Sequence, residues 1–194
     1  KLPRHSNELG SLFLFPTNGT AMYRYQNTWK NVYKHEILLS ARKKIKGAIQ
    51  EALRRVQYAA PKRIYGSVIE DRGTQITFSA IGQQAPLFVK TAWNEKFDIR
   101  LKIIRVLKKL LRDKYEIRAG GLTSIDITPR GIDKAYAVRQ IQKWLKTPIR
   151  KMLFVGDALY PGGNDYAAIR TGIKCIKVAG PTQTKKIIRQ LLKP

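Results

Sequence analysis

Two carboxylates and one amide have the spacing in this sequence that best fits a chemical role. Asp157 follows the apolar stretch 152–155, and Asn164 and Asp165 come seven and eight residues later, where a helix is expected to begin. Open α/β sheets bind ligands beyond the carboxyl ends of their strands. Oxygen ligands of this kind suit Mg²⁺, which takes one or two carboxylates with water and phosphate. In the alternative interpretation, Asp165 only caps its helix and Asp157 only turns the chain.

Lys134 is the next candidate because it lies where a strand gives way to a helix. The pattern predicts a strand at 124–128 and a helix at 131–145, which places the lysine in the first helical turn. A point cation there, beside a metal, can neutralise both a phosphate and a carboxylate nucleophile. The alternative is an ordinary solvated surface charge.

The elements that must position these residues follow two different patterns. Amphipathic helices at 39–56 and 98–113, with strands between and after them, predict two helices on an antiparallel sheet. After Pro129 the helices alternate with short apolar strands, which is typical of a parallel sheet. Those later elements are strands at 152–155 and 174–178 and helices at 165–171 and 182–192, and earlier strands are expected at 11–15 and 21–25. We expect an α/β fold into which an α+β unit is inserted.

Composition limits the classes of protein that this chain can belong to. Its 43% hydrophobic residues exclude a disordered chain, and no run approaches the roughly 18 apolar residues of a membrane span. A single cysteine, Cys175, forms no intramolecular disulfide, which indicates a reducing compartment or indifference to redox. Since there is also no membrane span, we expect a cytoplasmic location and no membrane association.

The charge is extreme. There are 38 Lys and Arg residues against 13 Asp and Glu, a formal net charge of +25. Such an excess attracts polyanions without reading sequence, so the alternative function is a catalytically silent basic module that binds nucleic acid or another polyanion. The aromatic residues Tyr23, Tyr25, Trp29 and Tyr33 could form a platform on which bases stack, but their alternation is more typical of a sheet core. The sequence contains no helix-turn-helix, zinc-finger or RNA-binding motif.

Several longer stretches resemble one known family over nearly the whole chain. They are PTNGTAMYRY, IYGSVIEDRGTQITFSAIGQ, TSIDITPRGIDKAYAVRQI and VGDALYPGGNDYAAI, followed by GPTQTKKIIRQLL. The chain resembles the haloacid-dehalogenase-like (HAD) hydrolase superfamily, and closely its branch of eukaryotic phosphomannomutases and capped sugar phosphatases. The resemblance implies a Rossmann-like HAD core in 1–38 and 124–194, with its first strand missing before Lys1, and an α+β cap domain in 39–123.

The same resemblance implies roles for individual residues. Lys134 matches the lysine of the third motif, Asp157 and Asp165 match the acids that hold Mg²⁺, and Asn164 matches the phosphate shell. Ser124 and Asp126 match residues that hold the sugar. Arg72 matches a cap arginine that grips the distal phosphate, although a turn residue facing water fits it equally. The implied function is a Mg²⁺-dependent phosphatase acting on a sugar phosphate or another small phosphomonoester, with a homodimer formed through the cap.

Two departures from the family pattern change this expectation. The reaction needs an aspartate nucleophile and, two positions later, an aspartate that acts as acid and base. None of the seven aspartates has another aspartate two positions away, so we expect this chain alone to be inactive. Tyr65 and Gln83 stand where two further phosphate-gripping arginines are expected, which favours a phosphatase ancestor over a mutase.

Overall fold

The structure is a computed structural model, and it describes residues 9–94 and 97–192. The chain separates into two compact units, Lys1–Ile132 and Asp133–Pro194. Among the described residues, no helix is both long enough and apolar enough to cross a membrane.

The first unit begins with a small antiparallel sheet of order β1-β2-β3. Its strands are β1 (Phe13–Leu14), β2 (Ala21–Gln26) and β3 (Thr28–Lys34). Asn27, with a φ of 61°, makes the tight turn between the last two strands. No range was predicted for strand β3, because Lys30 and Asn31 interrupt its apolar residues, although the alternating aromatic residues Trp29 and Tyr33 indicated a sheet. Within the sheet the rings of Tyr25 and Trp29 pack edge to face, 5.6 Å between centroids.

A second, four-stranded antiparallel sheet of order β4-β5-β7-β6 forms the larger part of this unit. The strands are β4 (Ile69–Asp71), β5 (Ile76–Ser79), β6 (Tyr115–Gly120) and β7 (Ser124–Pro129), and the helices are α1 (Leu39–Arg55), α2 (Leu87–Asn94) and α3 (Phe97–Leu111). The two predicted helices correspond to α1 and α3, which pack against each other and against the sheet. Helix α2 was not predicted; its first residues, Leu87 and Phe88, are exposed, so its sequence lacks a clear buried stripe.

The strands alternate between an apolar and a polar face. On β7, Ile125 and Ile127 are completely buried in the core that includes residues of α1 and α3. Ser124 and Asp126 alternate with them and therefore face the other side of the sheet. On β5, Ile76 and Phe78 are likewise buried in that core, and Thr77 is the polar residue between them. The period of two thus separates a hydrophobic core from a polar sheet face.

The second unit is an α/β arrangement around two parallel strands. Its elements are α4 (Lys134–Leu145), β8 (Leu153–Gly156), α5 (Tyr166–Ile169), β9 (Lys174–Lys177) and α6 (Pro181–Leu191). Strands β8 and β9 pair in parallel, as the alternating pattern predicts. Helix α4 begins three residues later than predicted because Gly131 has a φ of 80°, outside the helical region. Helix α5 is also shorter than the predicted 165–171.

The compact units differ from the predicted division of the chain. The boundary between 123 and 124 would separate β7 from β6 and β5, with which it pairs, whereas the first compact unit continues to Ile132. Residues 9–38 also belong to that unit, where the Thr20 hydroxyl donates to Oγ1 of Thr74 at 2.9 Å. Strand pairing is a long-range property that local periodicity does not reveal. The assignment of 1–38 and 124–194 to one core, with 39–123 as the cap, stays a prediction.

Candidate active site

A cavity of about 620 Å³ lies beyond the carboxyl end of β8 in the second unit. It is lined by four residues predicted from the sequence, Lys134, Asp157, Asn164 and Asp165. Its other lining residues are Phe154, Val155, Gly156, Val178, Gly180, Pro181, Thr184 and Lys185. The structure therefore brings the four residues that were predicted to bind phosphate or Mg²⁺ in this part of the chain to one cavity.

Asp165 is the central side chain of the cavity. Its Oδ1 lies 3.9 Å from Nζ of Lys134, and its Oδ2 accepts a hydrogen bond of 3.2 Å from the backbone N–H of Ala158. The side chain is only 9% exposed, against 32% for Lys134. Asp165 occupies the N-cap position of α5, but its side chain makes no capping hydrogen bond. Its carboxylate thus faces the lysine and the loop after β8 instead of the helix end.

Gly156 makes this position of the carboxylate possible. A Cβ on Gly156 would lie 2.5 Å from Oδ2 of Asp165 and 2.7 Å from Cε1 of Phe154. Both distances are too short for carbon, so any larger residue would displace a neighbour. Sequence reasoning did not single out this glycine as a site residue, although it directly precedes Asp157 in the motif.

Asp133 fixes the start of the helix that carries Lys134. Its Oδ1 accepts a 3.0 Å hydrogen bond from the N–H of Tyr136, which caps α4, and its other oxygen is paired with the guanidinium of Arg170. Asp133 is only 5% exposed. Sequence reasoning missed this role, yet an aspartate directly before a helix start is a typical N-cap signal.

The donor set is suitable for Mg²⁺. The cavity is lined by the Asp157 and Asp165 carboxylates and the Asn164 amide, and Asp157 is exposed. The part of the chain that the structure describes contains no group of three or more His, Cys, Asp or Glu side chains placed to hold a metal. Mg²⁺ is commonly held by one or two carboxylates while retaining water and binding phosphate. Two carboxylates at an open cavity therefore fit this ion better than one that needs a closed cage of protein ligands.

The N-terminus of α6 adds positive potential to the same cavity. Gly180 and Pro181 begin this helix, and Thr184 and Lys185 lie in its first turns. Unpaired backbone N–H groups and the helix dipole favour an anion at such a position. Together with Lys134, this arrangement can bind a phosphate group next to a cation held by the carboxylates. The GPTQTKK segment carried the family resemblance, but its residues were not predicted as part of the site.

The other three predicted residues, Ser124, Asp126 and Arg72, lie in the first unit. Ser124 and Asp126 share the polar face of the four-stranded sheet. Oδ1 of Asp126 accepts a 2.8 Å hydrogen bond from the hydroxyl of Thr77, which in turn accepts one of 2.8 Å from Nε2 of Gln75. Gly120 on the neighbouring strand leaves room for the carboxylate, since a Cβ there would lie 2.5 Å from its Oδ2.

Arg72 lies in the turn between β4 and β5, with its side chain 43% exposed. It donates to Oε2 of Glu70 at 2.7 Å. The pKa of Arg72 is raised above its ordinary value mainly by this hydrogen bond, with a smaller contribution from the negative charge of Asp126. Arg72 is thus partly engaged within its own turn and partly available to solvent.

Comparison with known proteins identifies the family of this chain. The family model described as eukaryotic phosphomannomutase matches residues 9–194. The phosphomannomutase of Drosophila melanogaster is 30% identical over 189 residues, covering 93% of this chain and 71% of that protein. Phosphomannomutase 1 of Dictyostelium discoideum is 29% identical over 133 residues, covering 65% of this chain and 52% of that protein. The matched segment thus spans about half to 70% of the length of these relatives.

Solved structures agree on the fold. An N-terminally truncated IMP-nucleotidase of Plasmodium falciparum superposes with a TM-score of 0.65 at 15% identity, covering 95% of this chain and 51% of that one. A haloacid dehalogenase-like hydrolase of Bacteroides thetaiotaomicron gives a TM-score of 0.53 at 14% identity, covering 93% and 70%. The α/β class, with a HAD-like core and a cap, is therefore confirmed. By its family match and its similarity to curated relatives, this chain belongs to the eukaryotic phosphomannomutase family of the HAD superfamily.

Proposed function

We propose that the cavity beyond β8 binds the phosphate group of a sugar phosphate together with Mg²⁺, and that this chain alone does not complete the phosphoryl transfer. The observation that carries the proposal is the placement of Lys134 3.9 Å from the nearly buried Asp165 in a cavity that Asp157 and Asn164 also line. A phosphate between the lysine and a cation on the carboxylates would be neutralised from both sides.

Each residue has a distinct task in this proposal. Lys134 supplies a point charge to a phosphate oxygen, and the amide of Asn164 donates a hydrogen bond to it. Asp157 and Asp165 hold the metal, which when bound offsets the charge of the phosphate oxygens. Asp133 keeps the first turn of α4, and with it Lys134, at the cavity.

The proposed lack of turnover follows from the missing nucleophile. Formation of an aspartyl-phosphate requires a carboxylate that attacks phosphorus and a nearby acid that protonates the leaving oxygen. The 194 residues contain no pair of aspartates two positions apart. The two acids of the cavity are assigned to the metal, so neither is free to attack.

As the family resemblance implies, we propose separately that Ser124 and Asp126, on the polar sheet face of the first unit, contact a sugar hydroxyl. Oδ1 of Asp126 accepts the hydrogen bond from Thr77. The arginine positions of the mutase pattern are occupied by Arg72, Tyr65 and Gln83, so one cation stands where three are expected. A bisphosphate, which a mutase must hold in two orientations, would be bound weakly, and this favours a ligand with one phosphate.

Binding of inorganic phosphate and of glucose 1-phosphate, measured by calorimetry with and without Mg²⁺, tests the proposal. We expect Lys134→Met to weaken binding about 10- to 100-fold, since a hydrogen bond to a charged group contributes roughly 1.5–3 kcal/mol. Lys143→Met removes the same charge from an exposed position on the same helix and is expected to leave binding unchanged. Asp165→Asn is expected to remove the Mg²⁺ dependence.

Two results would contradict the proposal. Equal affinities of the Lys134→Met and Lys143→Met variants would show that the cavity is not the phosphate site. Hydrolysis of a generic phosphomonoester by this chain with Mg²⁺, abolished by Asp157→Ala, would show that the expected lack of a nucleophile is wrong.

The cellular setting and the assembly remain proposals as well. We propose a cytoplasmic location because the single cysteine offers no intramolecular disulfide. A homodimer through the unit between residues 39 and 123 is consistent with the exposure of Leu87 and Phe88, at 72% and 76%. Analytical ultracentrifugation of the chain and of Phe88→Asp tests the dimer, and a monomer at micromolar concentration in both cases would exclude it.

A further inference from the structure

Helix α3 carries an unusual stripe of positive charge on its outer surface. Five exposed basic residues form this basic stripe, namely Lys102, Arg105, Lys108 and Lys109 on the helix and Arg112 in the short 3-10 turn that follows it, with a φ of 53°. At about 100° per residue the four helical residues fall within an arc of about 120°, and they extend about 10 Å along the axis. The half-buried Leu101 is the one apolar side chain within the arc.

The packing of α3 fixes the direction of the basic stripe. Ile103, Leu107 and Leu111 on the opposite side of the helix are at most 3% exposed and belong to the core against α1 and the sheet. A helix anchored by three buried residues over two turns does not rotate about its axis without exposing them. The helix backbone therefore holds the helical residues of the stripe facing outward, and binding has to order only the Lys and Arg side chains.

The charges of the basic stripe are not neutralised within the described part of the chain. None of the five side chains makes an ion pair or a side-chain hydrogen bond with another described residue. Helix α1 differs, because its basic side chains are largely paired: Arg42 and Lys46 lie 3.6 and 2.8 Å from Asp71. Two exposed carboxylates, Asp98 and Asp113, flank the stripe at its ends without interrupting it.

We propose that the basic stripe binds the phosphodiester backbone of double-stranded nucleic acid without reading its sequence. A duplex carries about one charge per 1.7 Å of axis, so the roughly 10 Å of helix in the stripe lies alongside about six phosphates, more than its four helical cations. The arc holds no aromatic side chain on which the bases of a single strand could stack. It also lacks the exposed apolar residues with which a surface helix enters a lipid bilayer. A straight and polar array thus fits a duplex backbone best.

Fluorescence anisotropy with a 20-base-pair DNA duplex over a range of salt concentrations tests this inference. We expect tight binding at low salt and a steep fall in affinity as salt rises. A variant in which all five stripe residues are changed to Gln is expected to lower the slope of log K against log salt by up to about 4.5, at about 0.9 per neutralised phosphate. A duplex RNA of the same length distinguishes the two nucleic acids, and similar binding of both is expected from backbone recognition.

A charge-matched variant separates the stripe from the general charge of the protein. Lys143, Lys146, Arg150, Lys151 and Lys174 are exposed residues of the second unit, and their replacement by Gln removes the same five charges. We expect this variant to retain most of the salt slope. Equal losses in both variants would overturn the proposal, since binding would then follow net charge.

Two further measurements complete the test. Circular dichroism melts of both variants establish whether they fold. If the fivefold variant does not fold, the single change Arg105→Gln tests the proposal, with an expected change of about 1 in the salt slope. Stripe-dependent binding to vesicles of anionic phospholipid, without stripe-dependent binding to duplexes, would replace nucleic acid by a membrane surface and overturn the proposal. Phosphate binding in the cavity of the second unit does not enter any of these readouts.

Discussion

The substitution Gly156→Ala directly tests the geometry of the candidate site. The added Cβ would lie 2.5 Å from Oδ2 of Asp165, and ordinary contacts begin near 3.4 Å, so the carboxylate must move by about 0.9 Å. Such a shift stretches the 3.2 Å hydrogen bond from the N–H of Ala158 beyond bonding distance.

The magnitude follows from two opposing effects. Loss of a hydrogen bond to a carboxylate that is nearly buried costs about 1.5–3 kcal/mol. Replacing glycine by alanine at a position where φ is not positive stabilises the protein by about 0.4–1 kcal/mol, because alanine lowers the conformational entropy of the unfolded chain. We therefore expect the free energy of unfolding to fall by about 1–2 kcal/mol, with a parallel loss of phosphate affinity.

Urea unfolding and phosphate calorimetry measure the two effects. Gly47→Ala is the control, because a Cβ there meets no atom within 4 Å, and we expect it to be neutral or to stabilise α1 by up to about 1 kcal/mol. In the background Asp165→Ala, the destabilisation by Gly156→Ala should shrink by about 1 kcal/mol or more. An undiminished effect in that background would refute the contact between Gly156 and the carboxylate.

Three further outcomes are expected from the first unit. Thr77→Val removes the hydrogen bonds that the Thr77 hydroxyl donates to Asp126 and accepts from Gln75, and should cost about 1–3 kcal/mol in urea unfolding, whereas Thr77→Ser should cost less; equal costs would disprove the role of the hydroxyl. Burial raises the pKa of Tyr58 to about 12, so stability should be lost as the pH rises from 10 to 12, and Tyr58→Phe should abolish this alkaline loss. Hydrogen bonds from two arginines lower the pKa of Glu51 to about 2, so the stability they provide is present above pH 4.5 and lost as the pH falls towards 2; an unchanged acid profile in Glu51→Gln would contradict this.

Much of the local structure could be predicted from the sequence because periodicity is a local property. Helices α1 and α3 and the strands β5 and β7 followed from it. The parallel pairing of β8 and β9 followed instead from the alternation of strands and helices along the chain. Strand β3 was indicated only by its alternating aromatic residues, without a predicted range, and helix α2 was missed because it has no clear apolar face.

In the candidate site, too, some features could be predicted from the sequence and others could not. The sequence alone supplied the types and spacing of Asp157, Asn164 and Asp165, their family resemblance and the absence of an Asp-x-Asp pair, since these need only the order of the residues. The tertiary structure decided that the Asp165 carboxylate faces Lys134 instead of capping its helix. It also decided that β7 pairs with β5 and β6, because strand pairing and side-chain direction depend on contacts between residues far apart in the chain.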